Sequence, residues 1–246
     1  MLIRQGDARD SRLDRRLAFT LAAVAGALNA AAFHAVGFFS ANMTGNVSAL
    51  SSLLALGEWG RGLGYLAIVL TFIRGATIST LIIGAGLRRS IAAIYAYVVL
   101  GEAVSLGILG GVERALDHVT GVPVLILGLS FLMGLQNAIV THISDARVRT
   151  THVSGMATDI GIGLARLADI VRGAARQEDR IGVTTRLRLH VGTVLFFLVG
   201  GIVGVLLYRA IGDISFALAG IPLVAVALLS IRASGVGPVA DKTEPS

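Results

Sequence analysis

Residues 17–57 contain no Asp, Glu, Lys or Arg, and windows of the same character recur as far as residue 231. A hydrocarbon core needs about 20 mostly apolar residues per helix. Six segments meet or approach that length: 17–39, 64–87, 90–112, 123–143, 189–208 and 214–231. Of the 246 residues 54 % are hydrophobic and only 15 % charged, whereas soluble domains are roughly a quarter charged. That balance excludes a disordered tail and a coiled coil, and the absence of cysteine excludes a disulfide scaffold. The expected fold is an all-α integral membrane protein with six transmembrane helices.

Two shorter apolar segments remain. Residues 43–57 are too short to cross comfortably. Residues 155–172 carry Asp159, Arg166, Asp169 and Arg172, with an apolar stripe at Ile160, Leu164, Leu167 and Val171 at helical spacing. That stripe suits an interfacial helix or a cavity wall. The first segment has the Arg15-Arg16 pair and small residues of a signal peptide. Its apolar run is too long for one and five spans follow, so it reads as an uncleaved first span.

Basic residues gather on the cytoplasmic side of membrane proteins. With six spans, 17 of the 21 Lys and Arg fall on one side and three, Arg61, Arg114 and Arg209, on the other, with Arg74 inside a span. Eight spans would give 15 against 5. Either count puts both termini in the cytoplasm. The net charge of +6 therefore serves orientation, and nucleic acid is not an expected partner.

The chain also echoes itself. Gly26-Ala27-Leu28-Asn29-Ala30 returns as Gly134-Leu135-Gln136-Asn137-Ala138. Asn42-Met43-Thr44-Gly45-Asn46-Val47-Ser48 follows the first, and His152-Val153-Ser154-Gly155-Met156-Ala157-Thr158 follows the second. Phe72-Ile73-Arg74-Gly75-Ala76 then parallels Phe197-Leu198-Val199-Gly200-Gly201. Three landmarks in one order imply duplication. Each half holds three spans, an odd number, so the halves are expected to be inverted in the membrane. The expected parts are a cytoplasmic segment 1–16, a first three-span repeat 17–112, a second 123–231, and a cytoplasmic tail 232–246.

The stretch Phe39-Ser40-Ala41-Asn42-Met43-Thr44-Gly45-Asn46 resembles the signature of the YoaK-like family of bacterial multi-pass membrane proteins of unknown function. So do Gly134-Leu135-Gln136-Asn137-Ala138 and Thr150-Thr151-His152-Val153-Ser154-Gly155. The likeness runs over about 17–231 and implies a six-span protein of the bacterial inner membrane.

Thr44-Gly45 and Ser154-Gly155 each open a short helix. Each break reads either as a surface cap or as a re-entrant helix start whose positive end faces a common site. In the second reading Asn29, Asn42, Thr44, Gly45, Asn46, Asn137, Thr151, Ser154 and Gly155 form a site for a small polar or anionic solute. Arg74 and Glu102 are the charges within otherwise apolar spans. Lying 15 and 13 residues from the hairpin centre at Arg89, they are expected at nearly one depth, as a structural ion pair or a proton-coupling site. The five histidines form no metal-binding spacing, and no nucleotide or hydrolase motif is present, so neither a cofactor nor an enzymatic activity is expected. The bilayer is the expected surrounding, and a homo-oligomer is compatible with the pattern. Passage of a small polar solute leads, with a non-transporting scaffold or assembly factor as the alternative.

Overall fold

A computed structural model describes residues 11–116, 118–144 and 150–234. The Arg147 and Arg149 contributions to the charge count, and most of the two terminal segments, lie outside the described residues. The described residues are almost wholly helical: α1 (Ser11–Val36), α2 (Met43–Ala55), α3 (Trp59–Arg88), α4 (Ile94–Ala115), α5 (His118–Ser144), α6 (Val153–Val171), α7 (Arg180–Ile211), α8 (Ile214–Ala219) and α9 (Ile221–Ser234). Six stretches are long and apolar enough to cross a membrane: Arg15–Val36, Trp59–Arg88, Ile94–Gly111, Thr120–Ser144, Gln177–Ile211 and Ile214–Ser234. The six expected spans and the two short helices are all present.

The last span departs from expectation. It is broken at Gly220 into α8 and α9, and Gly220 sits against the Ala103 carbonyl of α4. The break brings the two backbones together where a continuous helix with side chains would hold them apart.

Helix ends follow local chemistry. Both short helices stop at a glycine of positive φ, Gly57 (76°) and Gly173 (76°). Each is followed by the same wrapping bond, from Glu58 N to Leu53 O at 2.8 Å and from Ala174 N to Asp169 O at 2.9 Å. That left-handed turn satisfies carbonyls the helix end leaves open.

Two helix pairs dominate the packing, α1 with α7 and α3 with α5. Both pairs meet through glycine. A Cβ on Gly26 would collide with the Phe197 carbonyl, and one on Gly200 with the Ala23 carbonyl. In the other pair, Gly134 is set against the Phe72 carbonyl and Gly75 against the Phe131 carbonyl. Backbones in direct contact gain dispersion energy that lipid cannot supply, which favours small residues at such crossings. Around them lies one core that includes Leu28, Leu106, Leu129, Met133 and Phe216. Leucine and isoleucine exposed on α3 and α7, such as Leu81 and Leu198, suit contact with lipid.

Candidate functional site

The two helix breaks are built alike. After Val36 the chain folds back, so that the Ala41 N–H donates to the Asn29 amide oxygen at 2.9 Å, a buried bond. Asn29 lies seven residues before the end of α1 (36 minus 29), or roughly 10 Å at 1.5 Å per residue. The second break does the same. Thr151 donates its hydroxyl to the Asn137 amide oxygen at 2.7 Å, and Asn137 is seven residues before the end of α5 (144 minus 137). Both short helices therefore begin well inside the ends of the long helix before them.

Each short helix then runs back along the long helix that follows. Gly62 of α3 packs against Leu54 and Leu50 of α2. Gly163 of α6 packs against Leu187 of α7, and the Asp159 carboxylate lies 3.9 Å from His190 Nδ1. Pairings that fall as the other rises make α6 antiparallel to α7. The charged residues Asp159, Arg166 and Asp169 of α6 are exposed.

Local bonds fix the starts. Asn42 caps α2 by accepting from the Gly45 N–H at 3.1 Å, and Asn46 Nδ2 donates to the Phe39 carbonyl at 3.1 Å. A Cβ on Gly45 would press into the Asn42 amide, so glycine here makes room for the cap. Ser48 donates to the Thr44 carbonyl at 2.9 Å, and Thr158 to the Ser154 carbonyl at 3.1 Å. Asn42 and Thr44 are exposed, as are His152 and Ser154; Gly45 and Gly155 are half-buried. Just before the caps, Ser40 and Thr150 are both fully buried, and neither hydroxyl oxygen has a partner among the described residues.

Among the nine residues, the described hydrogen bonds stay within each break. Asn29 and Asn137 hold their own breaks: the first spends its oxygen on Ala41, and the second also donates Nδ2 to the Met133 carbonyl at 2.7 Å. A cavity of about 350 Å³ lies between α1, α7, α8 and α9 and is lined by residues such as Phe19, Phe196, Leu207 and Phe216. None of the nine lines it.

The expected Arg74–Glu102 pair is absent. Arg74 is exposed and makes no ion pair among the described residues, whereas Glu102 is fully buried and accepts from Gln136 Nε2 at 2.9 Å. The described partner of Glu102 is Gln136 of α5, not Arg74 of α3. Gln136 was visible in the Gly134–Ala138 repeat, though nothing in that repeat marks it as a carboxyl partner. Among the described residues no group of three or more His, Asp or Glu is arranged to hold a metal ion.

Over residues 17–229 the chain matches the model of a family described as a protein of unknown function, DUF1275. The match takes in all the helices just described except the ends of the first and last, and the chain belongs to that family. No curated protein and no solved structure matches it.

Proposed function

We propose that this chain is a bacterial inner-membrane protein, akin to the YoaK-like proteins, that passes a small polar or anionic solute between two inverted repeats. The observation that carries the reading is the paired break. Two short helices start about 10 Å inside the ends of α1 and α5, each clamped by an asparagine at the same place in its half. Broken helices of this kind are tolerated at membrane depth where they are buried or line a wet cavity. Their N-terminal ends carry partial positive charge, which favours an anion or the negative end of a dipole. The unpartnered Ser40 and Thr150 hydroxyls add one polar group beside each start.

The glycine contacts support the repeat. Gly26 on Phe197 and Gly134 on Phe72 are the same contact made once by each half, as are Gly200 on Ala23 and Gly75 on Phe131. With 17 basic residues on one side, both termini are cytoplasmic. No enzymatic step is part of this reading. A non-transporting scaffold or assembly factor is the second reading. It is favoured by the packed core, including Leu28 and Met133, and by a described cavity that avoids both breaks.

Reconstitution in liposomes separates the two. Swelling with glycerol or urea, and efflux of chloride or formate, should exceed that of empty liposomes and fall to background in Gly45→Leu and Gly155→Leu. Background rates for every probe in folded wild-type protein would leave the scaffold reading in place.

A further inference from the structure

Glu102 lies at the middle of its span, eight residues from Ile94 and nine from Gly111. An ionisable group at that depth is costly unless paired, and such residues are by default functional. Neither Glu102 nor Gln136 has any exposure. Gln136 Nε2 donates to Glu102 Oε1 at 2.9 Å. Two atoms remain over: Glu102 Oε2 and Gln136 Oε1 are both buried and have no hydrogen-bond partner among the described residues. The first is the second oxygen of the carboxyl and the other is the amide's carbonyl oxygen, and as written both are acceptors.

We propose that Glu102 and Gln136 form a proton-binding site within the membrane. One proton on Glu102 Oε2 turns that oxygen into a donor. Oε2–H then donates to Gln136 Oε1 while Gln136 Nε2 donates to Glu102 Oε1, closing an acid–amide ring. A single bound proton satisfies two orphaned atoms and removes a buried charge. Among the described residues no cation competes for the role. On the elements packed against α4, Arg74 is exposed on α3 and Arg88 stands in its last turn, His142 of α5 meets Thr80, and Arg232 is in the last turn of α9. α8 carries no ionisable residue, and Asp213 before it lies by Gly110, eight residues from Glu102. Tyr95 shares α4 and is buried seven residues back. None of these forms an ion pair with Glu102 among the described residues.

The site does not rest on solute passage, and its test reads the proton itself. Infrared spectra of the folded protein in lipid nanodiscs should show the carbonyl stretch of a protonated carboxylic acid at neutral pH. Carboxyl-¹³C glutamate should shift that band in the wild-type protein, which assigns it to glutamate without any variant. The band should vanish in Glu102→Gln and move to higher frequency in Gln136→Leu, where the carbonyl loses its donor. Absence of the band in the labelled wild-type protein, or its survival in a folded Glu102→Gln variant, would overturn the proposal. An unmoved band in Gln136→Leu would overturn the pairing.

Discussion

Asn29 gives its amide oxygen to a backbone N–H, whereas Asn137, at the matching place in the second half, gives its own to the Thr151 hydroxyl. Asn42 caps α2 with a side chain, while His152 holds the matching position before α6. α2 is 13 residues long and free of charge; α6 is 19 residues long and carries Asp159, Arg166 and Asp169. Against those differences stand the two glycine crossings, α1 on α7 and α3 on α5: Gly26 and Gly134 each meet a phenylalanine carbonyl, and Gly200 and Gly75 meet the carbonyls of Ala23 and Phe131. The contrast teaches which interactions have room to vary. A backbone carbonyl against a glycine leaves no space for any other residue. A polar bond can pass from backbone to side chain and still hold its loop.

The comparison breaks most easily at the crossings. Gly26→Val and Gly134→Val should each drive a side chain into a carbonyl of the facing helix, Phe197 and Phe72 respectively. Backbone cannot give way as a flexible side chain can, so each should cost about 3 kcal/mol or more. Unfolding in mixed micelles should show both losses at similar size. A large loss at one position with tolerance at the other would mean that the two crossings are not equivalent.

The asparagines should separate where the glycines do not. Asn29→Ala strands the Ala41 N–H in a buried place, which costs about 1–3 kcal/mol. Asn137→Ala releases a hydroxyl that can turn to another acceptor, and only the net worth of a bond, about 0.5–1.5 kcal/mol, should be lost. The same unfolding assay should rank Asn29→Ala as the worse. The reverse order would show that the second break depends on its clamp more than the first. Asn42→Ala removes the α2 cap and should cost about 1 kcal/mol, with Asn42→Asp recovering most of it. No recovery would mean that the amide nitrogen, and not the cap oxygen, matters there.

The spans were legible because charge-free windows of membrane length leave few alternatives, and both breaks were legible in Thr44-Gly45 and Ser154-Gly155. Their depth was not. It depends on the chain folding back to Asn29 and Asn137, a long-range bond that no local pattern announces. The split at Gly220 was hidden for a similar reason, since residues 214–231 are apolar on both sides of it. The packing of α6 along α7, with Asp159 near His190, is likewise a long-range contact that the stripe of Ile160, Leu164, Leu167 and Val171 does not announce. The partner of Glu102 was missed because counting residues from Arg89 fixes depth along a helix but says nothing about rotation around it. Arg74 is exposed, whereas Gln136, 34 residues away in sequence, reaches the carboxyl.

That correction leads to the smallest expected effects. Arg74 is exposed and unpaired among the described residues, so Arg74→Ala should change stability by no more than about 0.5 kcal/mol. Glu102→Gln should be as mild. Its new amide can donate to Gln136 Oε1 and still accept from Gln136 Nε2, so the buried pair stays satisfied without a charge. Glu102→Leu is the contrast, because it leaves both ends of the Gln136 amide unpartnered and should cost about 1–3 kcal/mol. A double-mutant cycle of Arg74→Ala with Glu102→Gln should give a coupling near zero, since the two groups share no partner. A coupling above about 1 kcal/mol would restore the ion pair and remove the reason for regarding Glu102 as neutral. With no coupling and a tolerated Glu102→Gln, the carboxyl contributes little to stability that an amide cannot supply. What glutamate alone brings to that position is then a proton that can leave.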